Sequence, residues 1–194
     1  MKPRVLIATV LVVSVAWIAW RSQLWTVERA GARPEPLVLR AVTARTPASI
    51  DAILPAVPVG TERLVSGRGV LLVHYWAPWE HASRSQLALL DSLRRDPGME
   101  GLKVTVVCFD PFPSVARYVA RQQLRLTVLI DQRRALRENL PCPSVPYTYV
   151  LDSAGRIAVA QPGEVDWWAP ETRATLEALL AERDTQRVPA PPAL

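Results

Sequence analysis

Hydrophobic positions in the second half of the chain fall into short continuous runs separated by segments of helical spacing. Val70-Leu71-Leu72-Val73 continues to Tyr75 and predicts a strand, Val70 to Tyr75, buried on both faces. From Ser83 to Leu93 the apolar side chains Leu87, Leu90 and Leu93 share one helical side, and Asp96-Pro97-Gly98 stops that helix. Val104 to Phe109 predicts a second buried strand, ended by Asp110-Pro111. Ser114 is placed to N-cap a helix running through Val115, Tyr118 and Val119 to about Gln123. Leu126 to Ile130 reads as a short strand and Gln132 to Leu140 as a short helix. Tyr147 to Leu151 and Ile157 to Gln161 read as strands joined at Asp152-Ser153-Ala154-Gly155, a hairpin turn whose glycine takes a positive φ. Thr172 to Arg183 predicts the last helix, with Leu176, Leu179 and Leu180 inward. Upstream the pattern is weaker: a strand at Leu37 to Val42, a short helix near Ser49 to Leu54, and a proline-interrupted stretch at Pro55 to Val59. The order β-α-β-α-β-α-β-β-α implies an α/β sandwich: a sheet with helices on both faces and an antiparallel hairpin at its end.

The first residues follow a different pattern. Val5 to Trp20 is apolar apart from the hydroxyls of Thr9 and Ser14, after the basic start Lys2 and Arg4. A helix of about 20 residues spans a bilayer core. The run reaches that length when Arg21, Ser22 and Gln23 snorkel and Leu24-Trp25 complete it, with Trp17, Trp20 and Trp25 as interfacial anchors. A cleaved signal peptide is the rival reading. Cleavage after Ala19 puts Trp17 where a small residue is needed, and Ala30-Gly31-Ala32 lies far past the apolar core. The pattern therefore favours an uncleaved signal anchor over 1–25, with the bulk of the chain outside the cytoplasm. A linker follows over 26–40, marked by Gly31, Pro34 and Pro36. The folded domain is expected over 41–187 and a Pro-rich tail over 188–194.

Composition removes several function classes. A hydrophobic fraction of 49% supports a real core, and the net charge of +5 comes almost entirely from arginines interspersed with acids. No basic stripe interleaves with aromatics, so nucleic acid is not an expected partner. The two cysteines, Cys108 and Cys142, are far apart and form no C-x-x-C, and the two histidines are His74 and His81. Neither a disulfide framework nor a zinc pattern results, and no metal or other cofactor is expected.

The stretch His74-Tyr75-Trp76-Ala77-Pro78-Trp79-Glu80-His81-Ala82-Ser83 joins the first buried strand to its helix. It resembles the active-site segment of thioredoxin-like proteins of the TlpA/ResA type, a family of membrane-anchored thiol-disulfide oxidoreductases that reads W-A-x-W-C-x-x-C there. Three further segments resemble the same family in order: Val145-Pro146-Tyr147-Thr148-Tyr149-Val150-Leu151-Asp152, Gly155-Arg156-Ile157, and Gly163-Glu164-Val165-Asp166-Trp167. The resemblance covers about Gly67 to Glu182. It implies a thioredoxin-like sandwich, an N-terminal β-hairpin near residues 37–63, a cis-proline at Pro146 and a domain in the periplasm or another extracytoplasmic space. It also places Glu80 and Ser83 where the family has its two cysteines. A thiolate at a helix N-terminus is stabilised by unsatisfied N–H groups, and a second thiol resolves the mixed disulfide. Glu80 is an anion at that place but cannot exchange disulfides, and Ser83 has no redox couple.

The candidate residues follow. Trp76, Trp79, Glu80, His81, Val145, Pro146 and Tyr147 form a candidate groove for an extended protein or peptide partner beside Pro146, as the family resemblance implies. Trp76 and Trp79 read equally as core or rim aromatics. Glu80 is either a general base beside His81 or, on the plainer reading, a first-turn carboxylate that satisfies the helix end. His74 reads as a hydrogen-bonded core histidine and His81 as a neutral, solvent-facing one. Cys142 in Pro141-Cys142-Pro143 is expected at the groove rim and Cys108 near the end of its strand, on opposite sides of the central strand. Two function classes result: a redox-silent binding or scaffolding domain in envelope protein maturation, or an atypical thiol oxidoreductase using Cys142, with Cys108 resolving. An enzyme or metal binder using Glu80, His81 and Ser83 is the weakest reading.

Overall fold

The computed structural model describes residues 33–186, and the expected signal anchor and Pro-rich tail lie outside them. Among the described residues no helix is long and apolar enough to cross a membrane. The strands are β1 (Thr46–Pro47), β2 (Asp51–Val57), β3 (Thr61–Val65), β4 (Val70–Trp76), β5 (Leu102–Cys108), β6 (Val128–Ile130), β7 (Tyr147–Leu151) and β8 (Arg156–Pro162). The helices are α1 (His81–Leu93), α2 (Phe112–Gln122) and α3 (Pro170–Gln186). One sheet of eight strands has the order β1-β8-β7-β4-β5-β6-β2-β3. β4, β5 and β6 run parallel, while β7 runs antiparallel to β4 and to β8.

β4 lies in the middle of this sheet, and all seven of its residues are buried. The period-2 alternation of a strand divides its side chains between two cores. Val70, Leu72 and Trp76 face one cluster with Val104, Val106, Cys108 and Val150. Leu71, Val73 and Tyr75 face the other with Val107, Tyr149 and Leu151. Leu87, Leu90 and Leu93 of α1, Val115 and Val119 of α2, and Leu176, Leu179 and Leu180 of α3 all join the first cluster. The second face is covered by Leu54, Ala56 and Leu64 of the β2–β3 hairpin and by Leu136 and Leu140.

Four expectations are corrected. Residues 132–140, expected as a helix, form turns instead. The Asp131 carboxylate accepts the amides of Ala135 and Leu136, and Arg134 sits at φ 56°, outside the helical region, so no i to i+4 ladder propagates. The other face of the sheet therefore lacks the helix expected there. The helix expected near Ser49 to Leu54 is part of β2, paired with β3 from Asp51↔Val65 to Pro55↔Thr61. Leu37 to Val42 is not a strand: the Leu37 and Val38 amides donate to Thr172 Oγ1 and Gln161 Oε1, side-chain acceptors rather than a ladder. Ser114 is not the N-cap of its helix. α2 starts at Phe112 after Pro111, with a proline in its first turn, and the Ser114 hydroxyl donates to the Pro111 carbonyl.

The β7–β8 hairpin turn forms where expected. Gly155 has φ 78° there, and a Cβ would lie 3.1 Å from the Gly67 nitrogen, so no larger residue fits without strain. Asp152 in this turn is buried and anchors the start of the fold. Its Oδ2 accepts from Arg45 at 3.1 Å and from Arg156 at 2.8 Å, while Arg45 reaches on to Glu182 at 2.6 Å. Burial by itself raises the Asp152 pKa, but the Arg156 amide and the Arg45 and Arg156 guanidiniums outweigh it and hold the carboxyl below its ordinary value. The stability this contributes is fully present above the unfolded carboxyl pKa of about 3.9 and is lost as pH falls through the lower folded value. Arg45→Met should cost about 3 kcal/mol in urea unfolding, because it leaves a buried carboxylate without one partner. It should also move the acid-unfolding midpoint to higher pH.

Candidate functional site

The site is built at the carboxyl end of β4. The β4–β7 register ends at Tyr75↔Tyr147, which brings the turn after Trp76 alongside Pro146. The Val145–Pro146 peptide bond is cis. The Pro146 carbonyl accepts from the Gly163 amide at 2.9 Å, tying this loop to the end of β8. Among the described residues no hydrogen bond involves the Val145 amide or carbonyl, and Val145 is half-buried. A free backbone donor and acceptor are the local requirement for pairing with an added extended segment.

The turn itself is closed by the Glu80 amide donating to the Ala77 carbonyl at 3.2 Å. Glu80 then caps α1: its Oε1 accepts from the Ala82 amide at 3.3 Å, and its backbone is extended, as an N-cap requires. This is the plainer of its two roles. A carboxylate at the positive end of the helix satisfies an amide that would otherwise lack a partner. His81 is exposed and accepts at Nδ1 from Arg84, which also donates to the Pro78 carbonyl. Arg84 thus braces the turn from the helix side.

α1 is fixed to the segment after β8. Gln86 is buried, and its Oε1 accepts from both the Val165 amide and Trp167 Nε1. Ser85 donates to Glu164 Oε1 at 2.6 Å. Gln86 was not among the residues the sequence pointed to, although its place one residue before Leu87 puts it near the inward face of an amphipathic helix.

The two tryptophans separate in role. Trp76 is fully buried, with its ring 5.2 Å from Tyr118, so it supports the site from within the core and offers no surface to a ligand. Trp79 is 64% exposed at the tip of the turn. Pro146 is buried and Tyr147 half-buried, with the Tyr147 ring packed 4.9 Å from Tyr149. Of the expected groove residues, Trp79, Glu80, His81, Val145 and Tyr147 therefore reach the surface.

His74 is a core histidine. Its Nδ1 is 2.9 Å from Thr148 Oγ1, its ring meets Trp167 edge-on, and burial pushes its pKa down to about 3. A neutral imidazole locked there is not available for acid–base work near neutrality. Ser83 is fully buried and its hydroxyl has no hydrogen-bond partner.

Both cysteines are free thiols. Cys108 is completely buried on the α1 face, and burial raises its pKa to about 12. Cys142 packs against the opposite cluster, donates to the Ser144 carbonyl at 3.0 Å, and has its pKa raised by burial to about 11. The sheet stands between the two sulfurs, so Cys108 cannot serve as the resolving partner of Cys142 in this fold.

No family model matches the chain, and no curated protein sequence matches it. Solved structures do. A secreted thiol-disulfide isomerase from Corynebacterium glutamicum superposes with a TM-score of 0.59 at 18% identity, covering 79% of this chain and 95% of that one. A DsbF homologue from Corynebacterium diphtheriae gives 0.59 at 19% identity, covering 79% and 95%. StoA from Bacillus subtilis gives 0.56 at 14%, covering 69% and 98%. The fold is thioredoxin-like. At these identities the likeness speaks for the architecture alone, and the site must be read from its own residues.

Ser83 offers a direct check on that reading. A buried hydroxyl without a partner costs about 1–3 kcal/mol relative to its hydration in the unfolded chain, and alanine is also the better helix former. Ser83→Ala should therefore raise the unfolding free energy by about 1 kcal/mol, measured as a higher urea midpoint with an unchanged slope.

Proposed function

We propose that this chain is a membrane-anchored, extracytoplasmic thioredoxin-like domain of the TlpA type that binds an extended segment of a protein partner without exchanging disulfides. The partner lies in the groove between the Trp79–Glu80 turn and the Val145–Tyr147 loop. The observation that carries the reading is the Val145 backbone, free of hydrogen bonds beside the end of the β4–β7 pairing, with Trp79 exposed in the turn that follows β4. Backbone pairing supplies sequence-tolerant affinity, and an exposed indole beside it supplies apolar contact area.

Glu80 and Ser83 hold the places that the family resemblance gives to the reactive and the resolving cysteine. Both are accommodated as structural residues, one as a helix cap and one as a small buried side chain. Neither supplies a nucleophile for dithiol exchange. An oxidoreductase acting through Cys142 draws no support from the geometry, since its thiol is pushed away from the thiolate form and has no second thiol on its side of the sheet. A role in scaffolding or chaperoning envelope protein maturation fits a binding domain held outside the cytoplasm by residues 5–25.

Two measurements on the full chain test this. The reduced E80C/S83C variant should gain the ability to reduce a protein disulfide, with activity at least tenfold above wild type; a well-folded variant with no dithiol exchange contradicts the TlpA assignment. Trp79→Ala should weaken binding of extended peptides about tenfold, consistent with the loss of a large interfacial aromatic. Unchanged affinity contradicts the groove.

A further inference from the structure

A cavity of about 290 Å³ opens on the face of β4 opposite Trp76, with Tyr75, Phe109, Arg134, Arg137, Leu140 and Cys142 among its lining residues. Its floor is aromatic and rigid. Tyr75 stacks on Phe109 with centroids 5.3 Å apart, and the Tyr75 hydroxyl donates to the Leu140 carbonyl at 3.0 Å. The Arg134 guanidinium lies over the Phe109 ring at 3.7 Å from its centroid. Arg134 itself has φ 56°, in the left-handed region.

Two arginines edge the mouth. Among the described residues neither Arg134 nor Arg137 takes part in an ion pair. Asp131 is the nearby acid, and both of its oxygens accept the Ala135 and Leu136 amides. Two guanidinium forks beside an apolar, aromatic floor match one ligand chemistry: a carboxylate on an apolar body. A carboxylate accepts from the guanidiniums while the body covers Tyr75 and Phe109. The volume is at the lower end of the usual range of about 300–1,000 Å³, so the ligand is small.

We propose that this cavity is a binding site for small organic carboxylates, separate from the peptide groove. Cys142 in the wall makes occupancy directly readable. Cys108 is fully buried, so native-state alkylation reports on Cys142.

The probe is iodoacetate, itself a small carboxylate, against the neutral iodoacetamide on the full chain, with adducts assigned by peptide mapping. The high pKa of Cys142 slows both reagents alike and cancels in their ratio. Relative to the same ratio on free N-acetylcysteine, iodoacetate should be favoured about tenfold at Cys142, because a cationic cleft concentrates an anionic reagent. Benzoate should protect Cys142 saturably against iodoacetamide, and Arg134→Gln with Arg137→Gln should return the ratio to that of the free thiol. A wild-type ratio equal to that of N-acetylcysteine, or no protection by benzoate, overturns the proposal whether or not the double variant folds.

Discussion

Strand β4 is the constraint on which the molecule depends. Every side chain it carries is buried, and it is paired on one edge with β5 and on the other with β7. A strand buried on both faces must divide its residues strictly by parity, since a one-residue slip would exchange the two cores. Tyr75 and Trp76, adjacent in sequence, therefore serve opposite faces. Trp76 backs the turn that leads into α1, and Tyr75 floors the arginine-edged cavity. Both candidate sites arise at the carboxyl end of this strand, where loops in open α/β sheets are free to diverge and bind ligands.

The same parity decides the chemistry of the thiols. Cys108 lies directly opposite Trp76 in the β4–β5 pairing and shares its face, while Cys142 comes from the loop that covers the other face. Burial raises both pKa values and so disfavours the thiolate that disulfide exchange requires. The helix end that would activate such a thiol is instead satisfied by the Glu80 carboxylate. Around that end lie an exposed indole, a Val145 backbone free of hydrogen bonds and the cis Val145–Pro146 peptide bond.

The parts of the fold legible in the sequence are those where burial leaves an unbroken signal. Val70 to Val73 and the valine-rich, β-branched run Val104 to Val107 read as core strands, and the leucines of α1 fall on one side. The β2–β3 hairpin is obscured by Pro55 inside β2 and by the lack of apolar/polar alternation in Thr61–Val65, although Gly60 marks its turn. Residues 132–140 have helical spacing, but Asp131 caps two amides at once and Arg134 leaves the helical region, local hydrogen bonding that periodicity does not encode. At the site, the roles of His74 and Glu80 follow from element boundaries. The burial of Trp76 follows from strand parity, and the cavity around Arg134 depends on a segment whose conformation the pattern misread.

The central claim is a thioredoxin-like domain that works by binding and not by thiol exchange. The measurement that meets it most directly is the thiol state of Cys108 and Cys142 in the protein's own compartment, fixed by rapid acid quenching and read by mass-tagging and a non-reducing gel. The account predicts two free thiols and no higher-mass species. An internal disulfide, or an adduct that disappears on reduction and maps to Cys142, would contradict it.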